Sequence, residues 1–250
     1  MLRYLLLLIS YSMILCGLSS CAIMLLGFKA TYGRYSAESY NLPARLAWFT
    51  QELPSLLMPV FILIRSDHWG YSSLNTIIVT MFIIHYFQRS LIYPFLIRGG
   101  KPTPLHIWFM AIIFCFFNGA LQGLWHIHYA VYPAEWWFNI RIWIGLLLFF
   151  TGMFINIQSD AILRNLRGTG EGTYKIPRGG LFEYISGANY FGECLEWFGF
   201  AICANTIPAF AFALFTICNI GPRAIHHHRW YLEKFEDYPK NRKALIMFLL

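Results

Sequence analysis

Seven apolar runs, near residues 4–28, 46–64, 71–97, 105–130, 140–160, 187–205 and 208–225, set the frame for this 250-residue chain. Each approaches the ~20 residues a helix needs to cross ~30 Å of hydrocarbon. The runs are continuously apolar instead of alternating, which selects helices over a barrel; only those two structures satisfy the backbone inside lipid. Charged residues make up 12% of the chain, against about 25% in soluble domains. The expectation is an all-α integral membrane protein with seven transmembrane helices, forming one domain over residues 1–250. The last two spans are separated by a tight break at Asn205-Thr206-Ile207-Pro208. The opening run "MLRYLLLLISYSMILCGL" has too long an apolar core for a signal peptide and no small-x-small site after it, so it reads as a retained first helix, residues 1–30.

Charge placement orients the spans. With seven of them, Lys29, Arg34, Arg45, Arg98, Lys101, Arg164, Arg167, Lys175, Arg178, Arg223, Arg229, Lys234, Lys240, Arg242 and Lys243 share one face. Only Arg3, Arg65 and Arg141 lie on the other, and Arg89 sits inside a span. The positive-inside rule then places the N-terminus outside or in a lumen and the C-terminus in the cytosol. The net charge of +7 is mostly this topology signal, and no basic, aromatic-interleaved patch points to nucleic acid. Segments 161–186 and 226–250 become the cytosolic portions. The six cysteines all fall in apolar runs without a CxxC pair and read as small core residues, neither disulfides nor a zinc site. No GxxxG-type dimer face stands out, and no obligate protein partner is evident.

Polar groups interrupt the apolar runs. An ionisable residue at mid-bilayer costs roughly 2.5–3.5 kcal/mol to insert, so each is a candidate functional group. Span two carries Gln51 and Glu52 beside Pro54; span three has His85, Tyr86 and Arg89, with His85 and Arg89 four apart on one face. Asn118 and Gln122 in span four, and Asn156 and Asp160 in span five, repeat that spacing, and Asn189, Glu193 and Glu196 line one face of span six. Single polar residues of this kind serve as interhelical hydrogen bonds worth about 0.6 kcal/mol. So many stripes together imply an internal site, a channel or a transport path. In its neutral form the Glu52 carboxyl can donate a hydrogen bond to a carbonyl and stabilise a developing enolate, with Gln51 orienting it and Tyr86 as second donor. The alternative for Glu52 is a salt bridge to Arg89 or another arginine.

The segment "NIQSDAILRNLRGTGEGTYKIPRGG" sets Arg164, Arg167, Lys175 and Arg178 among glycines. Guanidinium forks grip phosphate and glycines admit backbone approach, so it suits a phosphorylated ligand as well as an ordinary positive-inside loop. No GxGxxG follows a strand, so a Rossmann site is not supported. His226, His227 and His228 are consecutive and point three ways on a helix, which argues against a metal; they read with Tyr231 as hydrogen-bond donors where the last helix leaves the membrane.

The stretches "LPARLAWFTQELPS", "HYFQRSLIYPFLIRGGKP", "TGMFINIQSDAILRNLR", "YKIPRGGLFEYISGANYFGECLEWFGFA" and "HHHRWYLEKFEDYPKNRKAL" resemble the steroid 5α-reductase (3-oxo-5α-steroid 4-dehydrogenase) family, in order, from about Tyr32 to the C-terminus. The resemblance implies a seven-helix membrane enzyme that uses NADPH to reduce the Δ4 double bond of a 3-oxo-steroid, with hydride to C5 and a proton to C4. It implies that Gln51, Glu52 and Tyr86 bind and polarise the 3-keto oxygen. Asn156, Asp160, Arg164, Arg167, Tyr174 and Lys175 look like contacts to the adenosine and phosphate parts of NADPH; Arg89, Asn189, Glu193, Arg223, His227 and Tyr231 look like the rest of its shell. Trp48 looks like part of the steroid pocket. The implied partners are a steroid and the lipid bilayer, without metal, in the endoplasmic reticulum of a eukaryote or the inner membrane of a bacterium. Three positions depart from the family pattern: Gly168-Thr169 where Lys-Pro often follows the arginine, Gln158 where histidine is common, and Met247 where a proline stands. The rivals are a related enone, polyprenol or enoyl-CoA reductase, a seven-helix transporter or receptor, and a di-iron oxygenase, the last disfavoured by histidine spacing.

Overall fold

The computed structural model describes residues 1–30, 40–67, 73–166 and 174–250. It is built of helices: α1 (Leu2–Leu25), α2 (Ala44–Arg65), α3 (Ser73–Phe87), α4 (Tyr93–Leu96), α5 (Leu105–His128), α6 (Ile140–Leu166), α7 (Ala188–Ala204) and α8 (Ile207–Lys234). A five-residue π-helical turn, Gln88–Ile92, joins α3 to α4 without a break. Short strands β1 (Asn41–Leu42) and β2 (Thr103–Pro104) pair antiparallel and bring the starts of α2 and α5 together. Among the described residues six helices are long and apolar enough to cross a membrane: α1, α2, the α3–α4 unit from Leu74 to Leu96, α5, α6 and α8. The run expected as the sixth of seven spans is α7, which has 17 residues.

The break before α8 is local chemistry. Asn205 caps α7 in the left-handed conformation (φ 47°), where Asn is tolerated, and its N–H returns to the Ala201 carbonyl. Thr206 then accepts from the Ala209 N–H at 3.4 Å as the N-cap of α8, and Pro208 fills the first turn, where no N–H is needed. The helix that follows does not stop at residue 225. It runs through Pro222 to Lys234, so the three histidines lie within helix α8, two turns before its end. Likewise α6 continues to Leu166, well into the segment read as cytosolic loop.

Glycines set how closely the helices approach. Along α6 and α7, the most extensively packed pair, a Cβ on Gly192 would lie 2.5 Å from the Asn156 nitrogen, and one on Gly199 2.5 Å from the Phe149 nitrogen. Gly145 and Gly152 face them at the same seven-residue interval. The backbones therefore touch along the seam, which fixes the height of Asn156 and Asp160 on α6 against Asn189, Glu193 and Glu196 on α7. A second seat, Gly119 and Gly123 on α5, receives α2 at Ser55 and Pro59. This is a GxxxG pattern used within the chain, which the expectation that no such face stands out misses. The aromatic core between the two seats holds Phe82, Tyr86, Trp197, Phe200 and Phe212, all buried.

Beyond α8 the chain folds back. Ser186 and Gly187 donate their N–H groups to the Lys243 and Ala244 carbonyls at 2.8 and 2.9 Å. Arg242, read from sequence as one more positive-inside charge, is 1% exposed and donates to the Pro177 carbonyl at 2.8 Å and to Glu183 at 3.1 Å. The C-terminal segment is thus a clasp over the entry to α7.

Candidate active site

Two polar clusters meet inside the bundle. The first gathers around one face of α5. Cys115 and Asn118 lie three residues apart on that helix; the Cys115 thiol approaches Glu52 Oε2 at 3.9 Å and Asn118 Nδ2 donates to the Tyr86 hydroxyl oxygen at 3.4 Å. Gln51 Nε2 reaches Glu52 Oε1 at 3.5 Å, while Gln51 Oε1 is buried with no partner among the described residues. Ser55, one turn along α2, donates to the Cys115 carbonyl at 2.9 Å and borders the Tyr86 phenol. The structure therefore brings together Gln51, Glu52 and Tyr86. The helix that joins them, α5, and its residue Cys115 gave no sequence signal beyond the Asn118/Gln122 spacing.

The second cluster lies between α3, α6 and α7. Arg89 forms an ion pair with Asp160 at 2.9 Å, both side chains under a tenth exposed. His85 Nδ1 meets Glu196 Oε1 at 2.7 Å, with Glu196 fully buried. His85 and Arg89 were expected on one face at a spacing of four. The π turn beginning at Gln88 widens the helix there, and the two side chains go to different partners, α7 and α6. Arg89 is thus not the partner of Glu52 at ion-pair distance. Trp48 stands edge-on to Tyr93 at 5.3 Å, and the Arg89 guanidinium lies over both rings, 4.9 and 4.2 Å from their centroids. Trp48 accordingly props Arg89. Asn156 donates to the Asn189 carbonyl at 2.9 Å; Arg164 and the Asn189 side chain adjoin Asp160, and Glu193 lies in the field of Arg89, His85, Asp160 and Glu196.

Of the remaining candidates, Arg223, His227 and Tyr231 lie on α8. The Arg223 guanidinium sits 5.4 Å over the Tyr190 ring and the His227 ring is 5.5 Å from the same tyrosine. Arg223 also lines an open cleft of about 260 Å³ with Ser20, Met24, Lys29 and Asn219. Tyr231 is buried and stacks on Tyr238 at 5.1 Å. Tyr174 and Lys175 are exposed, with Tyr174 edge-on to Trp230 at 5.0 Å. Arg167 and the Gly168-Thr169 departure lie outside the described residues. Among the described residues no group of three or more His, Cys, Asp or Glu side chains is arranged to hold a metal ion.

Comparison with known proteins bears on what this arrangement is for. A family profile described as 3-oxo-5-alpha-steroid 4-dehydrogenase matches residues 101–250. The chain is 51% identical over 239 residues to 3-oxo-5-alpha-steroid 4-dehydrogenase 1 of Bos taurus, covering 92% of this chain and 91% of the relative. The chain belongs to the 3-oxo-5-alpha-steroid 4-dehydrogenase family. Identity to the Homo sapiens type 1 enzyme is 52% over 224 residues, covering 88% and 86% of the two chains. To the type 2 enzyme of Sus scrofa it is 49% over 222 residues, covering 87% of each. Membership makes this chain an oxidoreductase, and the profile spans α5 through the C-terminal clasp, which supply Cys115, Asn118, Asp160, Glu193 and Arg223.

Proposed function

We propose that the chain reduces the Δ4 double bond of 3-oxo-Δ4 steroids to 5α-3-oxosteroids, using NADPH, with Glu52 and Tyr86 polarising the 3-keto oxygen. One observation carries the reading: the amide and thiol contacts at Glu52 and Tyr86 are donated to them. An amide and a thiol face the Glu52 carboxyl, and an amide faces the Tyr86 oxygen. The O–H of a protonated Glu52 and that of Tyr86 are then available to a ligand oxygen. Bound NADPH supplies the hydride that enters C5. Charge builds on the 3-keto oxygen as the enone is reduced, and each donor aimed at that oxygen is worth about 3–4 kcal/mol of barrier, as in oxyanion-hole deletions. A proton at C4 completes the 5α-product, and the apolar wall of Phe82, Trp197 and Phe212 keeps water from competing for the oxygen.

The donor set between α3, α6, α7 and α8 fits a phosphate-bearing dinucleotide. Arg89, Arg164, Arg223 and Arg167 supply guanidinium forks for phosphate and Lys175 an ammonium, and those that meet the 2′-phosphate would select NADPH over NADH. Asn156, Asp160, Asn189, Glu193, His227, Tyr174 and Tyr231 supply hydrogen-bonding and aromatic groups for ribose, base and carboxamide. In this reading α7 is the sixth of seven spans, the N-terminus is lumenal, the C-terminus and the segments 161–186 and 226–250 are cytosolic, and residues 1–250 act as one unit. The mammalian relatives favour the endoplasmic reticulum membrane.

The test is turnover by the purified full chain in detergent with NADPH and testosterone. Expected are loss of absorbance at 340 nm and formation of the 5α-reduced steroid. Reduction of a linear enone or an enoyl-CoA with none of the steroid overturns the assignment in favour of a related double-bond reductase.

A further inference from the structure

The hydrogen bonds behind Tyr86 form a directional chain. Gln122 Nε2 lies 2.9 Å from the Pro208 carbonyl oxygen and 3.3 Å from Asn118 Oδ1. Asn118 Nδ2 lies 3.4 Å from the Tyr86 hydroxyl. Asn118 and Gln122 are 0% and 2% exposed, so water does not compete for them. Side-chain amides can be placed either way round, and their orientation has to be argued from partners. Here the end of the chain decides it, because a proline carbonyl only accepts. Gln122 must turn its NH2 to Pro208; the same NH2 then meets an oxygen on Asn118; Asn118 must turn its own NH2 to Tyr86. The Tyr86 oxygen is left as acceptor and its O–H points elsewhere. Ser55 is the competing acceptor beside the phenol: its own proton goes to the Cys115 carbonyl, so its Oγ can only accept the Tyr86 O–H. That again makes Tyr86 the donor, until a ligand oxygen takes that place.

We propose that Asn118 and Gln122 are positioning residues that use the Pro208 carbonyl, at the start of α8, to fix Tyr86 as a hydrogen-bond donor. This rests on the reading of Tyr86 as a carbonyl-polarising group. Spacing explains why α5 can do it: residues 118 and 122 share a face one turn apart, and Gly119 and Gly123 on α5 bring α2, with Glu52, against the same helix. The Asn118–Tyr86 contact is long, as such bonds are before a substrate tightens them. An N–H donated into the phenol oxygen also strengthens the phenol as donor through the polarisation of linked hydrogen bonds.

A double-mutant cycle on the full-length purified enzyme tests this, reading kcat, KM for steroid and the NADPH dissociation constant by cofactor fluorescence. Asn118→Leu keeps the branched shape and removes the donor; its expected effect is a fall in kcat of about fivefold to tenfold, the size of one misdirected hydrogen bond, with NADPH binding unchanged. In a Tyr86→Phe background, already slowed by about a hundredfold, Asn118→Leu is expected to have no further effect on kcat. Gln122→Met, one link further back, should show the same dependence on Tyr86 with a smaller factor, and it carries the test if Asn118→Leu does not fold. Equal losses in both backgrounds assign these amides a merely structural role and overturn the proposal while leaving Tyr86 in place. Wild-type kcat in Tyr86→Phe itself removes Tyr86 from the chemistry, and the proposal with it.

Discussion

Two buried clusters built from the same residue types are wired in opposite ways. Between α3, α6 and α7, carboxylates have basic partners: Asp160 holds Arg89 at 2.9 Å and Glu196 holds His85 at 2.7 Å. Around α5, the hydrogen-bond partners of Glu52 among the described residues are an amide at 3.5 Å and a thiol at 3.9 Å, with no cation at ion-pair distance. The paired cluster keeps charge in the membrane by neutralising it locally, and its geometry is locked by backbone contact along the α6–α7 glycines. The other surrounds Glu52 and Tyr86 with amides, a thiol and a hydroxyl. Under the proposed function the first arrangement would suit a charged dinucleotide and the second an oxygen that gains charge only during reaction.

Breaking the paired cluster should have the larger effect. Asp160→Asn leaves the Arg89 guanidinium buried without its counter-charge, and removing one partner of a buried pair costs about 3–5 kcal/mol. The expected outcome is a chain that is less stable in detergent by thermal unfolding and that has lost most NADPH affinity. A variant of unchanged melting and affinity would show that Arg89 does not depend on Asp160. Glu52→Gln tests the other cluster. It should reduce kcat by about 10²–10³ with the NADPH dissociation constant kept, and unchanged turnover would remove Glu52 from the mechanism. Gly152→Ala addresses the seam, where a new Cβ meets the Gly192 carbonyl oxygen at 2.5 Å. Overpacking of this kind costs about 1–3 kcal/mol; the melting temperature should fall and NADPH binding weaken with it, whereas Gly119→Ala should impair steroid turnover more than NADPH binding.

Much of this contrast was legible in the residues. Continuous apolar runs gave the helices and their order, because a helix in lipid has no other way to satisfy its backbone. Polar residues at spacings of three and four gave the faces that converge. Partner choice was not legible: His85 and Arg89 share a spacing but part at a π turn, and nothing in "HYFQRS" distinguishes such a turn from a regular helix. The α7 segment was read as a span from its apolarity, yet at 17 residues it is shorter than each of the six candidate spans and is ended by the left-handed Asn205. Gly119 and Gly123 stand at GxxxG spacing, which the expectation of no dimer face overlooks; the fold uses them within the chain, against Ser55 and Pro59. Arg242 was counted as surface charge because composition carries no information on which cation the chain later buries.

The smallest expected effect lies at the clasp, and it bears on one cluster only. Glu183 stands outside the membrane-spanning helices; the Gly179 N–H, 2.5 Å from its Oε1, and then Arg242 hold its carboxyl below the usual glutamate range. A depressed folded-state value means stability that is present above the ordinary glutamate value, near 4.3, and lost as pH falls through the lower folded one. The side chain is 45% exposed, so solvent screening limits the pair to at most about 1 kcal/mol. Arg242 ties this carboxylate to the Pro177 carbonyl, and Ser186 and Gly187, which lead into α7, are bonded to the same C-terminal segment. Glu183→Gln should therefore lower the melting temperature slightly at pH 7 and match the parent protein once acid has protonated Glu183. NADPH affinity should weaken slightly at neutral pH, while steroid KM stays constant because Glu52 and Tyr86 are held from α5. An equal loss in both parameters would mean that the clasp braces the whole bundle, and that the two clusters are less independent than their wiring indicates.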